Sequence, residues 1–291
     1  MRARARLGLL VFGLFSALTA AALPNALVEV VQSPAWVERG ERRLPLAPGM
    51  ALENRDRLLT GSGARLVVRL ADGSRARLGE NVNATVNAMK LEKNGAFSAA
   101  LDVGKGAFRL TTDDASRPET QRAINVRAGR VTASLHGADV WGRAGAGQDI
   151  VCLFAGRMIA SHPQDQAVEL TVPGQCHGAE KDQLPGAIVA LDKAKAALLT
   201  LETEPQYGVA TQQTGGRWAL DFGRFDQNGA LTLHDQLSAA GYAGRIRPVR
   251  VSGAYLYELR LEQLLTEREA QWLADKLARE LNNPAPVIHR H

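Results

Sequence analysis

From Leu27 to about Val172, apolar and polar residues alternate in short runs broken by Gly, Asn and Asp. That is the period of successive antiparallel strands with one face in a core and the other in water. The plainest unit is residues 65–70, an Asp72-Gly73 turn and residues 74–78. Asp-Gly accepts the positive φ angles of a tight hairpin, and the flanks alternate apolar with charged residues. Further runs at 96–103, 108–112, 123–126, 130–135, 149–154 and 167–172 predict strands, with no helix of normal length between them. Many short strands at regular spacing predict an all-β sandwich or rolled sheet.

The period changes after Gly178. Pro185 is placed to start a helix, and Ile188, Leu191, Ala194, Lys195, Leu198 and Leu199 form an imperfect amphipathic stripe ending near Leu201. Residues 204–216 are polar and turn-rich, which predicts a domain boundary. Beyond it, 217–225 alternates through Trp218, Leu220 and Phe222, and Asn228 is placed to cap a helix to Ala240 that buries Leu231, Leu233 and Leu237 before Gly241 stops it. Residues 246–251 and 255–261 predict a hairpin about Ser252-Gly253. Thr266 and Glu269 form a capping box for a helix whose face is Ala270, Leu273, Leu277 and Leu281, and a last strand follows. The sum is a small ferredoxin-like β-α-β-β-α-β unit. The expected organisation is a leader at 1–22, an all-β domain at 23–177, a connector with a helix at 178–205 and the α+β unit at 206–291.

The leader has Arg2, Arg4 and Arg6, an apolar run from Leu7 to Leu18 and small residues ending Ala20-Ala21-Ala22. This is the form of a secretory signal peptide, with cleavage expected after Ala22. The alternative, an uncleaved anchor, has a stretch at the short end of what spans a bilayer. Export predicts a periplasmic protein with no stable membrane span after cleavage. It also removes three of the 35 basic residues, leaving 32 against 30 acidic ones. So even a balance gives no expectation of nucleic-acid binding.

The two cysteines, Cys152 and Cys176, lie on late strands about a hairpin apart. An oxidising compartment predicts a disulfide, with free thiols in a redox or metal role as the alternative. They form no C-x-x-C, and His177 is one ligand rather than a set. The six histidines show no metal-ligand spacing, and there is no G-x-S-x-G elbow, Walker loop or dinucleotide fingerprint. Gly142 to Gly147 reads as a hairpin tip, and Asp113-Asp114 as a solvated loop. No cofactor, no metal and no catalysis are expected.

Two stretches resemble known families. Asp56-Arg57-Leu58-Leu59-Thr60-Gly61-Ser62-Gly63-Ala64, then Leu70-Ala71-Asp72-Gly73-Ser74 and Leu78-Gly79, resembles the FecR-type periplasmic β-domain. Gly104 to Arg109 is similar to a later strand of that family, and Gly137-Ala138-Asp139 resembles its R-G-T-D segment, with His136 and Ala138 in place of Arg and Thr. Asp56, Thr60, Asp72 and Ser74 also have a plain structural reading, as turn formers bonding nearby backbone. At the C-terminus, Trp218, Phe222-Gly223-Arg224-Phe225, Leu237, Gly241-Tyr242, 257–261 and 266–270 resemble the SPOR domain, whose family role is binding peptidoglycan glycan stripped of peptides. Asp221, Glu258 and Glu262-Gln263-Leu264 depart from that pattern.

The SPOR resemblance implies a glycan face built from rings (Trp218, Tyr255, Tyr257) and polar groups (Arg217, Asp221, Arg224, Arg245, Arg247, Arg260). If Trp218 faces the helices with Leu220 and Phe222, then Arg217, Asp221 and Arg245 become the better surface candidates. The combined expectation is a non-enzymatic envelope protein binding peptidoglycan glycan through one domain and an unidentified envelope protein or polymer through the other. The rivals are a FecR-type signalling regulator, which needs a cytoplasmic segment where only Met1 to Arg6 precedes the apolar run, and an accessory factor of a wall hydrolase.

Overall fold

The computed structural model describes residues 24–112 and 121–290. The expected leader, Asp113-Asp114 and His291 lie outside the described residues. The chain opens with β1 (Ala26–Gln32), β2 (Ala35–Arg39), β3 (Arg42–Pro45), β4 (Arg57–Thr60), β5 (Arg65–Leu70), β6 (Arg75–Leu78) and β7 (Asn83–Leu91). Then come β8 (Phe97–Thr111), β9 (Arg122–Ala128), β10 (Val131–Ala144), β11 (Gln148–His162), β12 (Asp165–Leu170), β13 (Gln175–Glu180) and β14 (Val189–Ala190). Hydrogen bonding is continuous through these strands, and bends in the longest of them fold the network into two sheets. One runs β3-β2-β4-β7-β8-β9-β10-β11-β12, the other β1-β5-β6-β8-β10-β11-β13-β14.

Three long strands belong to both sheets. Residues 97–103 of β8 pair with β7 and, in parallel, with β9, whereas 106–111 pair with β10. β11 pairs with β13 over 148–152 and with β12 from residue 158. Each crossing carries a glycine with positive φ: Gly106 (+94°), Gly137 (+61°) and Gly156 (+77°). A Cβ on Gly156 would stand 1.8 Å from the Gly137 carbonyl oxygen. The separate strands expected at 96–103 and 108–112 are therefore one bent strand. Those expected at 130–135 and 149–154 are likewise parts of 14- and 15-residue strands. A glycine at a corner bends a strand and lets two backbones touch without ending it.

Alternation then fills the space between the sheets. Leu66, Leu78, Phe108 and Leu153 from one sheet meet Leu58, Phe97, Ile124 and Met158 from the other. The residues carrying the first family resemblance serve this architecture. Asp56 is buried and accepts from Arg39 Nε (2.8 Å), Arg39 Nη2 (2.6 Å) and the Glu53 amide (2.8 Å). The Thr60 hydroxyl donates to the Gly79 carbonyl at 2.7 Å and accepts from the Val82 amide at 2.8 Å. Asp72 accepts from the Ser74 amide and hydroxyl and pairs with Arg122 at 3.3 Å.

The connector helix α1 is Lys193–Leu201, and Asp192 rather than Pro185 begins it, its carboxylate accepting from the Lys195 amide. Residues 185–188 have no regular structure and lead into β14. The C-terminal unit contains β15 (Gln212–Gln213), β16 (Trp218–Phe225), α2 (Gln227–Ala239), β17 (Arg245–Val251), β18 (Ala254–Leu264), α3 (Glu267–Leu281) and β19 (Val287–Arg290). Strand order is β19-β16-β18-β17, all antiparallel, with both helices packed on one face over Leu220, Leu259 and Leu261. Asp226, not Asn228, caps α2, and Leu231 is exposed while Ala230, Leu233 and Leu237 are buried. The Thr266 cap forms as expected, its hydroxyl accepting from the Glu269 amide at 3.2 Å.

The polar run expected to be a boundary is a seam. β15 pairs with both β1 and β18. The Gln32 amide donates to the Gln206 carbonyl (2.7 Å) and Thr211 Oγ1 (2.8 Å) and accepts from the Gln206 amide (2.9 Å). Trp36 Nε1 donates to the Ser238 carbonyl at 3.0 Å. A backbone that bonds to both units lacks the freedom of a tether.

Candidate interaction surfaces

Two sheet faces bear on function, and the C-terminal one carries the residues singled out by sequence. The helices cover the side of Leu259 and Leu261, so Glu258, Arg260 and Glu262 of β18 stand on the opposite, open side. Register places Arg245 beside Arg260 and Arg247 beside Glu258. The open face is an ionic lattice: Arg260 pairs with Asp221 (3.2 Å) and Glu258 (3.0 Å), and Glu262 with Arg245 (3.2 Å) and Arg247 (2.8 Å). At its end a cleft of about 630 Å³ is lined by Asp221, Arg224, Arg260 and His289 and by the rings of Phe222 and Phe225. Such a lattice presents fixed donors and acceptors, and any ligand must exchange them pair for pair.

The structure brings Asp221, Arg224, Arg245 and Arg260 together and separates the rings from them. Trp218 packs with Leu220 and Phe222 on the helix side, partly buried, with Arg290 5.9 Å from the centre of its ring. Tyr255 and Tyr257 share the parity of Leu259 in an unbroken β17–β18 register, so they lie on the helix side near the hairpin tip. Arg217 lies just outside β16 and is exposed. No ring of the expected set shares the open face with the arginines. Arg247, expected from sequence as a donor, joins them through Glu262, whereas Glu258, Glu262 and His289 were not expected as members, although the alternation of β18 was the signal that would have found the two glutamates.

Cys152 and Cys176 are bonded, on register-paired positions of β11 and β13. The disulfide is buried with Trp141 on the outer side of the second sheet, where Ile150, Phe154, Leu191 and Leu199 pack around it. On the inner side of the same strand, His177 is buried and neither ring nitrogen has a hydrogen-bond partner among the described residues. Burial pushes its pKa below the ordinary histidine value, the His162 ring acting in the same direction and Asp165 against it. No group of three or more metal-ligating side chains comes together among the described residues.

The sandwich, with its Asp56, Thr60 and Asp72 corners, sets the frame for comparison with known proteins. Residues 56–158 match the FecR protein family model. The FecR match spans β4 to β11 and stops short of the C-terminal unit. Two crystal structures of a candidate anti-sigma factor from Parabacteroides distasonis ATCC 8503 are similar at 13% identity and TM-score 0.41, covering 81% of this chain and 99% and 98% of theirs. That similarity is too weak to assign a fold or a function. No curated protein matches the chain. None of these comparisons supports the SPOR resemblance of residues 206–291. No helix among the described residues is long and apolar enough to cross a membrane.

Proposed function

We propose that the chain is a non-enzymatic, periplasmic regulator of FecR type, in which the sandwich receives a protein partner and the C-terminal unit responds. This reverses the order of the two readings reached from sequence. The FecR match over the sandwich carries it. The seam at β15, which pairs with a strand of each unit, supplies a rigid route between them. Transcript profiling of a deletion strain tests it. A discrete set of transcripts should change on deletion and return with the full chain, and an unchanged profile counts against the reading.

A second reading keeps peptidoglycan glycan as the ligand of the C-terminal unit. The uncovered face holding Asp221, Arg224, Arg245 and Arg260 favours it. The absence of Trp218, Tyr255 and Tyr257 from that face weighs against it, because sugars gain much of their affinity by stacking C–H faces on aromatic surfaces, which leaves Phe222 and Phe225 at the cleft wall to supply that contact. Full-length protein should pellet with amidase-denuded sacculi more than with intact ones if this reading holds, and stay in the supernatant with both if it does not.

A further inference from the structure

The outer face of the second sheet is an arginine surface. Core residues such as Leu66, Leu78, Phe108 and Val140 point inward, so alternation sends Arg69, Arg75, Arg77, Arg109 and Arg143 outward. Arg77 and Arg109 are register partners, and like charges directly opposite on a sheet repel. The connector resolves this. Glu204 Oε1 lies 3.2 Å from Arg77 Nε and 3.1 Å from Arg109 Nη1, and Glu202 pairs with Arg143. Arg109 is further held by both oxygens of Asp139, at 2.8 and 2.6 Å.

Beside the arginines lies an apolar patch of Trp141, Ile150, Phe154 and the disulfide, and the connector meets it with Leu191 and Leu199. Arg109 lies 5.5 Å from the centre of the Phe154 ring and Arg143 5.3 Å from that of Trp141. Trp and Arg with aromatic neighbours are the composition of binding hot spots. The helical part of the connector is lightly fixed there, since α1 has no buried residue and Leu198 and Leu201 are 65% and 62% exposed, while Thr203 just beyond it is buried. Its backbone nonetheless approaches closely, since a Cβ on Gly79 would stand 2.6 Å from the Glu202 carbonyl oxygen.

We propose that this face is a docking site for an acidic, leucine-bearing segment of a partner protein, and that the connector occupies it in cis through Leu199, Glu202 and Glu204. Charge complementarity selects the occupant, because the surface offers arginines around an apolar centre and the connector shows which side chains satisfy them. A partner that takes the face displaces the segment leading into β15, so docking on the sandwich is felt at the C-terminal unit. The proposal rests on the reading that the sandwich binds a protein, and its test is independent of the transcript profile, so either can fail alone.

The test uses the full chain and a fluorescein-labelled synthetic peptide of residues 189–206, followed by anisotropy. E202K/E204K, which repels its own connector, should bind the peptide roughly tenfold more tightly than the wild type, because an intramolecular competitor has been removed. Raising salt from about 20 mM to about 300 mM should weaken binding, since exposed ion pairs are screened. Adding R77A/R109A should abolish it. Equal binding by wild type and E202K/E204K overturns the proposal. So does equal binding of a peptide whose glutamates are glutamines, or no binding by a variant whose circular dichroism matches wild type. Should charge reversal prevent folding, E202Q/E204Q is held to the same outcomes with a smaller gain.

Discussion

Gly156→Ala should unfold the corner where β11 passes between sheets. The new Cβ would stand 1.8 Å from the Gly137 carbonyl oxygen and 2.7 Å from its carbon, both backbone atoms of a neighbouring strand that no rotamer change can move. Its φ of +77° adds a second cost. A left-handed conformation costs a Cβ-bearing residue about 1–2 kcal/mol, and overpacking against fixed atoms costs about 1–3 kcal/mol. The expected loss is therefore about 2–5 kcal/mol, a large share of the roughly 5–15 kcal/mol that keeps a domain folded. Urea denaturation followed by far-ultraviolet circular dichroism measures it. Gly186→Ala is the control: nothing lies within 4 Å of its Cβ and its φ is not positive, so it should stay within about 0.5 kcal/mol of wild type or gain slightly. A G156A protein within about 1 kcal/mol of wild type would refute the corner argument.

Other expectations follow from the same physics. Replacing both Cys152 and Cys176 by serine opens a loop with a sequence separation of 24 and should cost about 3 kcal/mol in the chain-entropy estimate, read from the shift in urea midpoint. Asp56→Ala strips Arg39 and the Glu53 amide of their buried partner and should cost about 3 kcal/mol, where a change under about 1 would show the carboxylate to be dispensable. His177 has a lowered folded pKa, so the unfolded chain binds its proton first as pH falls. Stability is full above the ordinary histidine value and drops below it, and His177→Leu should flatten that drop between about pH 7 and pH 5. An unchanged slope in the variant would place the acid sensitivity elsewhere.

Local chemistry was legible in the sequence and long-range geometry was not. The Asp72-Gly73 hairpin, the Ser252-Gly253 hairpin and the Thr266 cap each depend on residues within a few positions of one another, and each formed. Gly104 to Gly106, Gly137 and Gly156 look like breaks along the chain. What makes the last of these a corner is a carbonyl 19 residues away, which no local pattern reveals. The helix starts at Asp192 and Asp226 were misread because Pro185 and Asn228 are also good starting residues, and downstream packing decides between them. The run from Gln206 to Gln213 reads as linker because its partners, Gln32 and β1, lie far back in the sequence. At the candidate site, period-two alternation already put Tyr255 and Tyr257 with Leu259, so the separation of rings from arginines was present in the strand pattern. The ion-pair network linking Asp221, Arg260 and Glu258 was not, because it needs the register of β16 on β18.

What remains to be tested is the proposed docking of a protein on the outer face of the second sheet. A photo-crosslinking amino acid at position 69, on that face, compared with one at position 125, exposed on the outer face of the first sheet, tests it in living cells. A discrete protein adduct is expected at 69 and none at 125. Equal adducts at both positions, or a glycan adduct alone, would contradict it.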